Sequence, residues 1–159
     1  MPLILSTLKT SLENNWLVPE GGSYPASPQE SADRFATAVA SWFSAAQANG
    51  IPCTTAQARK SQLASQLALT FQQDPGSAAS AAQGMANALT LYITGQVFGA
   101  GAASPPLGTA AAISSLTTTF SNLDLDNATR AQQLALACQT LALTTVVTFP
   151  PPTPPANVT

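Results

Sequence analysis

Between Asp74 and Asp124 the sequence carries no ionised side chain. Such a stretch suits a packed interior, a subunit interface or a membrane. A spanning helix needs about twenty predominantly apolar residues. Gln83, Asn87, Gln96, Gly99-Ala100-Gly101 and Ser104-Pro105-Pro106 interrupt any such run, and no basic flank sets an orientation. A buried or interface helix is the better reading, although Gly95-x-x-x-Gly99 has the small-residue spacing of membrane helix pairs and keeps a small membrane-inserted protein as an alternative.

The same shortage of charge runs through the whole chain. Only 8% of the 159 residues are charged, against about 25% in ordinary globular domains. The polar surface must therefore be built from Gln, Ser, Thr and Asn, which repel neighbouring molecules weakly. Such an exterior is expected to be covered by other subunits. Lys9, Arg34, Arg59, Lys60 and Arg130 are scattered apart from one pair, and the net charge is −2. Phosphate backbones need clustered cations, so no nucleic-acid partner is expected. The Arg59-Lys60 pair reads as a solvated helix face.

Punctuation residues divide the chain into about six helices. Residues 3–17 place Leu3, Leu5, Leu8, Leu12 and Trp16 near helical spacing, and the segment from Val18 to Gly22 ends the run. Ser27, Pro28 and Glu30 form a capping-box start with proline in the first helical position. From there Ala32, Phe35, Ala36, Val39, Trp42, Phe43 and Ala46 form a wide apolar stripe that Asn49-Gly50 and Pro52 close. Thr54 with Gln57 suggests a second capping box opening a helix to about Gln73. Asp74-Pro75 suggests the start of an Ala-rich helix to about Gly95. Ile113, Leu116 and Phe120 predict a helix over 109–120, and Asp126 is a good N-cap for the last one. No repeat of fixed period stands out, since the shared Ala/Gln/Ser bias produces self-similarity on its own.

After residue 143 the character changes. Thr144-Thr145-Val146-Val147-Thr148-Phe149 favours strand and is followed by six residues of which five are proline. Proline fixes φ and lacks an amide donor, so the expected architecture is mainly α: a helical body over 1–143 and an extended β arm with a Pro-rich tail over 144–159. The arm serves either as an edge for pairing with another subunit or as a solvated tail. Val146, Val147, Phe149 and Pro150 in the arm are the expected assembly residues. Tyr24, in a loop, and the 99–106 loop rank behind them.

Little in the chain resembles catalytic machinery. With no histidine, the commonest general base and metal ligand is missing. Cys53 and Cys138 lack metal-type spacing and read as two buried free thiols, with a disulfide between them as the alternative. Asn122, Asp124, Asp126 and Asn127 alternate like part of a calcium loop but lack its glycine and terminal glutamate, so helix capping is the simpler reading. Gly99-Ala100-Gly101 reads as a flexible loop. No enzyme activity, cofactor or metal is expected.

The segments Trp16-Leu17-Val18-Pro19-Glu20-Gly21-Gly22, Ser27-Pro28-Gln29-Glu30-Ser31-Ala32-Asp33-Arg34-Phe35 and Thr144-Thr145-Val146-Val147-Thr148-Phe149-Pro150-Pro151-Pro152 resemble small virion structural proteins of tailed bacteriophages, in particular contractile-tailed phages of aquatic bacteria. The resemblance implies a virion subunit assembled in the host cytoplasm, with copies of itself and portal, capsid or tail proteins as partners. A head–tail connector (neck or adaptor) forming a homo-oligomeric ring matches the plan most closely, and a capsid cementing or decoration protein is the alternative. No catalytic residue is implied.

Overall fold

The structure is a computed structural model that describes residues 3–18, 21–73 and 76–159. Among these the chain is mainly helical, with six helices and six short antiparallel strands: α1 (Leu5–Asn15), α2 (Pro28–Phe43), β1 (Gln47–Ala48), β2 (Ile51–Pro52), α3 (Lys60–Gln72), α4 (Ala78–Ile93), β3 (Val97–Phe98), β4 (Gly101–Ala103), α5 (Thr109–Ser121), α6 (Asn127–Leu143), β5 (Val146–Thr148) and β6 (Ala156–Asn157).

This order is one unit written three times: an outer helix, a central helix and a β-hairpin. The central helices α2, α4 and α6 start at N-caps Ser27, Ser77 and Asp126, a step of about fifty residues. Each cap side chain accepts from the backbone N–H three residues on, at 3.1, 3.1 and 2.8 Å. Downstream of each cap the same pattern of burial recurs. Ala32, Ala82 and Ala131 are fully buried, as are Ala36, Ala86 and Ala135. Between and beyond them the large positions vary: Phe35, Met85 and Leu134; Val39, Leu89 and Cys138; Trp42, Tyr92 and Leu141. A repeat is therefore present that the sequence did not disclose. It is kept in the small residues that set helix separation, whereas the large side chains have been exchanged while staying buried.

Each outer helix packs against two central ones, α1 on α2 and α6, α3 on α2 and α4, α5 on α4 and α6. The six helices thus close into a ring. Outer helices bury a narrow stripe, such as Leu8 and Leu12 in α1, while central helices bury a wider face. Thr117 and Thr118 are β-branched yet lie inside α5 and donate their hydroxyls back to Ile113 O and Ser114 O.

The strands close a second ring at one end of the bundle. They pair as a β1–β2 hairpin and a sheet ordered β3-β4-β5-β6. Within each hairpin one equivalent bond is made: Cys53 N–H to Ala46 O, Ala103 N–H to Gln96 O and Val158 N–H to Thr145 O, at 2.9, 2.9 and 3.0 Å. Between hairpins Thr54 N–H donates to Val97 O, Ser104 N–H to Val146 O and Thr159 N–H to Gln47 O, at 2.9, 2.8 and 2.8 Å. The two sheets are joined at the Cys53–Phe98 bridge on one side and at Gln47–Thr159 on the other. A closed ring leaves no unpaired edge. Ala48, Phe98 and Val147 point their buried side chains into the core below it.

Several element starts differ from the sequence reading. The Thr54/Gln57 capping box is not made: α3 begins at Lys60, because Thr54 and Thr55 are spent on the β ring, Thr54 through its N–H and Thr55 through its hydroxyl on Gln96 Oε1 and Val97 N–H. Asp74-Pro75 lies outside the described residues, and the cap of α4 is Ser77. Part of the 99–106 loop is β4. The Arg59-Lys60 pair is not simply a solvated face, since the Arg59 guanidinium donates to Leu91 O and Thr94 O at the C-terminus of α4, where a cation satisfies orphan carbonyls.

Candidate assembly surface

The segment expected to extend away from the body folds back onto it. β5 lies between β4 and β6, with Ala103 opposite Val147 and Val147 opposite Ala156. Proline prevents donation only at its own position. The chain keeps its prolines in the connection over residues 148–155 and resumes pairing through Val158 and Thr159, whose amides are free to donate. Asn49 Nδ2 donates to Pro154 O at 3.0 Å and ties this connection to the tip of the first hairpin.

Of the expected assembly residues, Val147 is fully buried and Phe149 is 7% exposed, so both are core residues of their own chain. Val146 is partly buried and paired with Asn157. Pro150 and Tyr24 remain at the surface, Tyr24 at 80% exposure. The Phe149 ring covers Gly101, where an added Cβ would lie 2.5 Å from ring carbons. Gly101 is therefore a close-approach glycine, and Gly99 supplies the positive φ of +61° that the first position of a two-residue II′-type turn requires. The three glycine-loop residues form a hairpin tip instead of a flexible loop.

The exteriors of the three repeats have diverged although their interiors match. Where α2 presents Thr37, Ser41 and Ser44, α4 presents Asn87, Leu91 and Thr94, and α6 presents Leu136, Thr140 and Leu143. Leu91, Leu136 and Leu143 are 50%, 41% and 43% exposed. The first repeat instead carries a polar groove containing Asn14, Glu30, Asp33, Arg34 and Thr37. Arg34 and Glu30 are paired there at 2.6 Å, an exposed i,i+4 contact of small energetic weight.

At the end opposite the β ring the ends of the outer helices bring Trp16, Phe71 and Phe120 together. Trp16 and Phe71 stack with ring centroids 6.3 Å apart, and Trp16 Nε1 donates to Ser31 Oγ. With Met85, Ala81 and Thr70 the three aromatics line an apolar hollow of about 260 Å³.

Several of the described titratable groups are engaged in structure. Burial pushes the Cys138 thiol up to about 12 and also raises Cys53, so both are free, protonated thiols and poor nucleophiles. Cys53 Sγ sits 3.4 Å from Gln96 Oε1, in a buried network where Gln96 Nε2 donates to Tyr92 O and Tyr92 OH to Ala56 O. Bonds from Thr129, backbone first, hold the Asp126 carboxyl low, and the Ala26 N–H followed by Arg34 does the same for Glu30. Among the described residues no group of three or more His, Cys, Asp or Glu comes together, and no helix is long and apolar enough to cross a membrane. No family model, curated protein or solved structure matches this chain.

Sequence reasoning overlooked Val158, Thr159, Gln47 and Gln96. Their signal was positional: Gln47 and Gln96 lie about fifty residues from Val97 and Ala46, whereas Val158 and Thr159 take the places of Cys53 and Thr54 only after a third hairpin connection six residues longer than the other two.

Proposed function

We propose that this chain is a non-enzymatic structural subunit of a bacteriophage particle, a head–tail connector that forms a homo-oligomeric ring. The observation that carries the reading is the exterior. It is poor in charge, and it bears half-exposed leucines on the faces of α4 and α6 where the equivalent positions of α2 are Ser and Thr. Three unlike faces on one body favour a heterologous contact, in which one face of a copy meets a different face of the next, and such contacts close rings when the rotation allows. Several ionisable side chains serve as caps, pairs and buried thiols, which supports a role without chemistry. The phage setting rests on the resemblance of residues 16–22, 27–35 and 144–152 to virion structural proteins.

A capsid cementing protein is the second reading, favoured by the threefold plan of the body, because a site where three shell subunits meet presents three equivalent contacts. Divergence of the three faces weighs against it. Native mass measurement across a concentration series, paired with antibody labelling of intact particles in electron micrographs, tests the proposal. A defined oligomer and a label confined to the neck support the connector; label over the shell supports cementing. A monomer at all concentrations, absent from particles, overturns both.

A further inference from the structure

We infer that β6 is an exchangeable strand: within the assembled state it leaves its own ring and fills the same slot, between Thr145 and Gln47, in a neighbouring copy of this chain. The inference rests on the homo-oligomeric reading above and specifies its contact.

The three hairpins serve as controls for one another. In the first, Ala48 and Ile51 are opposite residues, and the two turn residues between them, Asn49 and Gly50, adopt φ of +52° and +74°, the type I′ arrangement. In the second, Phe98 and Gly101 enclose the tight Gly99-Ala100 turn. These turns hold each second strand beside its first. In the third, Val147 and Ala156 are opposite residues as well, yet residues 148–155 separate them. From Pro150 to Pro155 this connection is exposed throughout. Fully extended it reaches roughly 25 Å, enough to cross to a molecule in contact.

What the strand does in the ring makes its exchange consequential. Its segment is the clasp that joins the last hairpin to the first: Val158 N–H bonds Thr145 O, and Thr159 exchanges bonds with Gln47 in both directions, at 2.8 and 3.0 Å. Val158 is fully buried beneath the ring. Vacating the slot exposes an apolar seat and leaves ladder groups of Thr145, Gln47 and the facing edge of β5 unpaired, which the identical strand of another copy satisfies with the identical bonds. Cis and trans forms then differ chiefly in loop conformation and in concentration, so assembly shifts the balance by mass action.

The test is a lock. In a Gln47→Cys, Thr159→Cys variant of the full chain, oxidation at high dilution ties the strand within its own ring, while the native Cys53 and Cys138 stay buried. The locked form is expected to remain at monomer mass at concentrations where the reduced form associates. Oxidation after association is expected to give covalently linked dimers and larger species on a non-reducing denaturing gel. A locked form that associates as well as the reduced one, or associated material that oxidises only within single chains, overturns the exchange while leaving the oligomer standing. If neither form associates, the homo-oligomeric reading falls and the exchange with it. Val146→Cys with Asn157→Cys, an opposite pair in the same hairpin, carries the same test should the first pair disturb folding.

Discussion

Thr159 and Gln47 stand 112 residues apart and exchange both of their backbone hydrogen bonds, which closes the β ring. Three repeats become a closed body at this contact, because every other junction between hairpins is made by neighbours in sequence.

Removing residues 156–159 is expected to destabilise the isolated chain by roughly 3–6 kcal/mol, combining the burial of Val158 with the loss of several backbone bonds. Denaturant unfolding of the truncated and full chains measures it. A loss below about 1 kcal/mol would mean that the strand is not part of the folded core.

Gly101→Ala is expected to cost about 1–3 kcal/mol, because the new Cβ meets the Phe149 ring. Since the clash needs both partners, adding Phe149→Leu should relieve part of the Gly101→Ala loss, and a double-mutant cycle reads the coupling. Purely additive losses would place Phe149 away from the β4 backbone.

Replacing any of Ala36, Ala86 or Ala135 with Leu is expected to destabilise by about 1–3 kcal/mol, whereas Ala79→Leu on the exposed start of α4 should change stability by less than about 0.5 kcal/mol. Thermal unfolding of the four variants separates buried helix-approach positions from surface ones. Equal tolerance at all four would contradict the shared interior of the repeats.

Helices were legible because their signals are local. Ser27-Pro28 and Asp126 cap where their chemistry says they should, and apolar spacing located α1, α5 and α6 to within a turn. The β ring was not legible for a physical reason. Its strands are two or three residues long and paired across the whole chain, so apart from β5, which falls in the strand-favouring run 144–149, neither alternation nor propensity marks them. Pro-rich composition then pointed away from pairing, although the donors that close the ring lie beyond the prolines. Val147 and Phe149 were expected at an assembly contact because they are apolar, but that apolar surface is satisfied by Gly101 and the core of the same molecule.

Alkaline pH should weaken the fold through its thiols. Burial holds the folded-state pKa of Cys138 at about 12, above the value of 9.0 for a free thiol, and that of Cys53 is raised in the same direction. A pKa raised on folding gives stability that is complete below about pH 9 and is lost as the pH climbs towards 12. Melting temperatures between pH 8 and 11 should therefore fall, and fall less steeply in Cys138→Ala. Parallel slopes for the two proteins would place Cys138 outside the core.

Amide hydrogen exchange of the isolated chain at high dilution tests ring closure most directly. The N–H groups of Cys53, Ala103 and Val158 occupy equivalent places, as do those of Thr54, Ser104 and Thr159. The closed threefold ring predicts that Val158 and Thr159 are protected to a degree comparable with their counterparts. Exchange of Val158 and Thr159 at the rate of a free peptide, with Cys53 and Ala103 still protected, would contradict it.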